Sequence, residues 1–74
     1  MNPAKDEKIL KKFGKHLAKI RESKGLSLRS LADNADIDYS QIHRIEKGQT
    51  NPSLLMLIAL SEGLGITLEE LIIF

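Results

Sequence analysis

The chain has 74 residues, a net charge of +1, no cysteine, and two histidines, His16 and His43, far apart in sequence. That length admits a single domain, residues 1–74, near the lower limit for a self-sufficient core. Disulfides and thiolate metal sites are excluded and zinc is disfavoured. No run reaches the ~18 apolar residues of a membrane span, and no apolar signal core opens the chain. The expectation is a cytoplasmic protein without metal or other cofactor.

The first predicted helix runs from about Lys5 to Lys24, with Ile9, Phe13, Leu17 and Ile20 on one face and Gly25 as terminator. Ser27 caps the second, Leu28 to about Ala35, which turns Leu28, Leu31, Ala32 and Ala35 inward. After a short break at Asp36-Ile37, Asp38 caps the third, Tyr39 to Lys47, with Gln41 at the spacing of a capping box and Gly48 as the stop. The fourth helix follows Asn51-Pro52-Ser53, from Leu54 to about Glu62, and breaks near Gly63-Leu64-Gly65. Thr67 and Glu70 form a second capping box for a last helix through Leu68, Leu71 and Ile72. No segment alternates with period two, so the fold class is all-α: a compact five-helix domain with a central helix-turn-helix unit at about 28–47.

Charge is distributed unevenly. Residues 1–29 carry nine basic and three acidic groups, a net of +6; residues 30–74 carry two basic and seven acidic, a net of −5. Such asymmetry suits a polyanion on one side, and equally suits a solvated lysine-rich first helix.

The third helix is more specific. At ~100° per residue, Ile42 and Ile45 define its buried side. Ser40, His43, Arg44 and Lys47 cluster opposite them within an arc of roughly 100°, without a carboxylate. Arg can bond guanine O6 and N7 together, Ser can donate or accept, and Lys reaches phosphate or guanine. A polar outward stripe is also what any surface helix shows. Its pairing with the second helix across a tight turn is what suggests a unit that crosses the DNA backbone with one helix and enters the groove with the next.

The run Ile20-Arg21-Glu22-Ser23-Lys24-Gly25-Leu26-Ser27, then Leu31-Ala32, Ile42 to Gly48, Asn51-Pro52-Ser53-Leu54 and Leu64 to Leu71 resembles the lambda-repressor/Cro/Xre-type helix-turn-helix domains. The likeness spans about residues 13–71, and order and spacing together carry it. It implies a sequence-specific regulator of transcription, a repressor in the usual case, that binds double-stranded operator DNA as a twofold dimer. By that resemblance Tyr39, Ser40 and Arg44, with His43 beside them, read bases. Leu28 and Arg29 at the start of the second helix, and the loop from Lys47 through Gln49, Thr50 and Asn51, meet phosphates. Arg21 and Glu46 form a structural ion pair. The chain departs from the family where Leu28 replaces a glutamine, where Gln49 and Thr50 replace basic residues, and where Asp36 replaces the turn glycine. Asp tolerates the left-handed conformation that such a turn needs.

Leu54 to Leu60 is apolar throughout, and a helix apolar all round must be covered all round. Leu55, Met56, Ala59, Ile73 and Phe74 are therefore expected to form an isologous homodimer interface. The alternative is that Ile9 and Leu10 of the first helix fold over them. An enzyme is not expected: there is no phosphate-cradling glycine loop, and no acid supports Ser40 and His43. The second functional reading is an antitoxin-like module whose apolar end at Ile72 to Phe74 docks a protein partner.

Overall fold

The computed structural model describes residues 2–74 as five helices and, among those residues, no strand: α1 Pro3–Ser23, α2 Leu28–Ala35, α3 Tyr39–Glu46, α4 Leu54–Leu64 and α5 Leu68–Ile72. α1 starts two residues earlier than periodicity suggests. The Asn2 side chain accepts from the amides of Ala4 and Lys5, and Pro3 occupies a first-turn position where its missing N–H costs nothing.

All five helices feed one core: Phe13 and Leu17 of α1, Leu31 and Ala32 of α2, Ile42 and Ile45 of α3, Leu60 and Leu64 of α4, and Leu71 of α5. Ile9 departs from its expected place and is exposed, because the first turns of α1 run past the core. α2 packs mainly on α4, and α1 on α3. At Gly14 α1 approaches the end of α3 so closely that an added Cβ would lie 2.5 Å from the Ile45 carbonyl oxygen. Only glycine admits that separation.

α4 continues through Gly63 to Leu64, two residues past the end expected at Glu62. Gly63 is buried against α2, where a Cβ would stand 2.7 Å from that of Ala35, so this glycine serves packing. The terminator is Gly65, in the left-handed region at φ 71°, with Ile66 N–H returning to the Ser61 carbonyl at 3.0 Å. The capping box of α5 forms as its spacing implies: Thr67 Oγ1 accepts from Glu70 N–H at 3.1 Å, and Glu70 accepts from Thr67 N–H at 3.1 Å. Donation to Glu70 Oε1 from the Thr67 N–H and from the Thr67 hydroxyl holds the Glu70 carboxyl below its ordinary pKa. The box expected at α3 does not form. Asp38 bonds the amide of Ser40 at 3.3 Å, and the Gln41 amide goes to the Asp38 backbone carbonyl instead.

The α2–α3 turn rests on Asp36, the one non-glycine residue with positive φ among those described (φ 55°, ψ 46°). Ile37 N–H bonds the Ala32 carbonyl at 3.0 Å, and the Ile37 side chain packs on the core, so the turn is pinned at both ends. Aspartate holds the left-handed conformation at a cost that glycine does not incur. Asp36→Gly is expected to raise stability by up to ~1 kcal/mol, and Asp36→Val to lower it by about 1–3 kcal/mol. Urea melts check both; a valine variant as stable as the parent would show that the turn is not held in this conformation.

Candidate nucleic-acid interface

α3 is held from three sides before any of its outer side chains is considered. Ile42 and Ile45 are fully or almost fully buried and fix its rotation. The turn at Asp36-Ile37 fixes its start. Its end is tied to α1 by Arg21, whose Nε donates to Glu46 Oε2 at 2.7 Å and whose Nη2 donates to Glu46 Oε1 at 3.2 Å. The remaining fork nitrogen, Nη1, donates to the Leu26 carbonyl at 2.8 Å, so one guanidinium clamps α1, the α1–α2 loop and α3. The two side chains are only 12% and 9% exposed. Hydrogen bonding to Glu46 holds Arg21 above its ordinary pKa, outweighing the opposite pull of burial. The pair assigned from resemblance is thus an ion pair in the structure, joining α1 to the end of α3.

Of the groups opposite Ile42 and Ile45, His43, Arg44 and Lys47 are exposed, and Ser40 is half-buried. Tyr39 is exposed and stands beside them: its ring stacks on that of His43, centroids 6.5 Å apart and planes 15° apart. The Arg29 guanidinium lies 5.4 Å from the centroid of the Tyr39 ring, within cation–π range. A cation at the start of α2 and two rings on α3 therefore make one continuous surface. The i, i+4 spacing of Tyr39 and His43 could have revealed their stacking. The Arg29 contact joins two helices and has no local signal.

Leu28 packs against the core rather than standing beside Arg29 on the surface. In the loop after α3, Gln49 and Asn51 are exposed and Thr50 is half-buried. Arg44, Gln41, Thr50, Asn51 and Ser53 share the wall of an open groove between α3 and the start of α4, floored by Ile45 and Met56. Ser53 caps α4 through the Met56 amide at 3.1 Å. The surface presents cations, hydroxyls and amides from α2, α3 and the following loop, chemistry that suits phosphates beside base edges. Among the described residues no cluster of three or more potential metal ligands exists, and no helix is long and apolar enough to cross a membrane.

The five residues expected to pair two copies differ in their surroundings. Leu55 and Ile73 are 78% and 73% exposed, whereas Met56 and Ala59 are half-buried. Phe74 folds back onto α1: its ring meets Phe13 edge-on at 5.4 Å and stacks on His16 at 5.8 Å. His16 Nε2 also lies 3.2 Å from the Glu70 carbonyl oxygen. Leu54, Ile58 and Ile72 are exposed as well, apolar surface beyond the five residues named for the homodimer interface. Ile9 is exposed and Leu10 half-buried, and Leu55, Ile58 and Ile73 stay exposed, so the first turns of α1 leave this surface open.

The family described as Helix-turn-helix matches residues 17–71. The control protein C.MunI of Mycoplasma sp is 46% identical over 61 residues, covering 81% of this chain and 82% of its own. The HTH-type transcriptional regulator DdrOP3 of Deinococcus deserti is 36% identical over 61 residues, 82% of this chain but 47% of that longer protein. The crystal structure of the restriction-modification controller protein C.AhdI from Aeromonas hydrophila superposes with a TM-score of 0.81 at 40% identity, covering 84% of this chain and 94% of that one.

Proposed function

Because the chain belongs to the helix-turn-helix family of DNA-binding transcriptional regulators, we propose that it binds a pseudo-palindromic operator as a homodimer, each copy laying α3 in the major groove. The observation that carries this reading is the exposed Tyr39–His43–Arg44 surface on a helix clamped by Ile42, Ile45 and the Arg21–Glu46 pair. Tyr39, Ser40, His43 and Arg44 are the base-reading set. Arg29, Lys47, Gln49, Thr50 and Asn51 meet the backbone. Leu55, Met56, Ala59, Ile73 and Phe74, joined by Leu54, Ile58 and Ile72, pair the copies and bring two reading helices about 34 Å apart, onto successive major grooves. The role is binding, without catalysis or cofactor, in the compartment that holds the DNA.

The finer reading is a controller of restriction-modification genes. It rests on C.MunI and C.AhdI, which match this chain over most of their own lengths. The exposed apolar end of α4 and the segment after α5 favour one second reading, a protein partner seated on that face in place of a second copy.

Arg44→Ala tests the site. It is expected to cost about 1–3 kcal/mol on the operator and much less on random duplex, with relaxed preference at the base that Arg44 contacts. Equal losses on both would reduce Arg44 to a phosphate contact and move the reading surface elsewhere.

A further inference from the structure

The matched family region begins at residue 17, and α1 begins at Pro3, so about two thirds of this helix lies outside it. α1 is rich in lysine, most of it in that part. Lys5, Lys8, Lys12, Lys15 and Lys19 recur at intervals of three and four. At 3.6 residues per turn they fall within an arc of roughly 80° along about 21 Å of helix. All five are exposed. Among the described residues the ion pairs are Lys11–Glu7 and Arg21–Glu46, and neither draws on this stripe. The stripe lies on the side of α1 turned away from Phe13 and Leu17, and roughly 140° around the helix from Gly14, where α3 packs. It is therefore a face of α1 separate from the one that packs on α3.

Successive lysines three or four apart on a helix repel one another, so the stripe works against its own helix unless a counter-charge meets it. We propose that this stripe is a second DNA-binding surface that grips the phosphate backbone of duplex outside the operator half-site. Three features select DNA over a protein. The charge is uniform and linear, like the polyanion, which offers about one phosphate charge per 1.7 Å of axis. The cations are flexible point charges rather than arginine forks, which suits contact without sequence reading. The stripe itself holds no apolar or aromatic anchor, and lysine is depleted from the cores of protein interfaces. The duplex can be the flank of the bound operator or a second molecule of DNA, and the chemistry is the same.

The test compares the full chain with its Lys8→Gln/Lys12→Gln/Lys15→Gln variant by salt titration on the operator with long flanks and on the operator trimmed to its ends. A companion assay measures capture of a labelled, operator-free duplex by the immobilised complex. The slope of log K against log salt is expected to flatten by about 2–3 on DNA that reaches the stripe, at ~0.9 per lost phosphate contact, with base preference unchanged. A triple arginine variant should restore it. Flattening that needs the flanks assigns the grip to the same duplex, and lost capture assigns it to a second one; either supports the proposal. An unchanged slope together with unchanged capture, in a variant of parental helicity, would overturn it. So would loss of self-association as the variant's only change, which would assign the stripe to an acidic protein face.

Discussion

Replacing Arg21 or Glu46 by alanine is expected to lower stability by ~3–5 kcal/mol, because each leaves a nearly buried charge without its partner. Arg21→Ala also frees the Leu26 carbonyl, which the third fork nitrogen now satisfies. A domain of this size has roughly 4–11 kcal/mol of stability in all, and each kcal/mol is worth about 4–8 °C of melting temperature, so the loss should be plain in a thermal scan. The double replacement Arg21→Met/Glu46→Leu should recover much of it, since an apolar pair of similar size carries no stranded charge. At a temperature where the single variants are still folded, their preference for operator over random DNA should persist. Unchanged melting with lost binding would mean that the pair acts on DNA directly.

The second large effect concerns pairing. Leu55→Glu combined with Ile73→Glu places two charges on the most exposed apolar positions of α4 and of the segment after α5. Neither side chain contributes to the core, so the protomer should stay folded. Sedimentation should show a monomer, and affinity for the full palindrome should fall by about 10²–10⁴, the advantage of linked half-site binding. A variant that still sediments as a dimer would place the interface elsewhere. Phe74 is a poorer target, because its contacts with Phe13 and His16 lie within the protomer and its loss would disturb α1 as well.

Local chemistry made most of this fold legible. Ser27, Ser53 and Thr67 cap the helices that follow them, and Gly25, Gly48 and Gly65 take the left-handed conformation that ends the helices before them. The two isoleucines of α3 set its inner face without reference to the rest of the chain. What escaped depends on contacts between distant segments. Gly63 has the appearance of a breaker, yet it is a helical residue kept small by Ala35, almost thirty positions earlier. Phe74 reads as an outward tail, yet it lies on an aromatic pair sixty positions before it. The Arg29–Tyr39 contact, which gathers the groups of α2 and α3 proposed to meet DNA into one surface, arises from the angle between two helices. The Asn2-Pro3 start was legible in principle, as a cap residue followed by proline, but apolar periodicity does not begin until Ile9.

The most direct test of the central claim is to select binding sites for the purified full chain from random duplex DNA and titrate the winner at several salt concentrations. The expected result is a pseudo-palindrome with half-sites about one helical turn apart, bound tightly and with a steep salt slope. Enrichment of no sequence, with only weak salt-sensitive binding, would contradict it and shift the weight to a protein partner on the exposed apolar face.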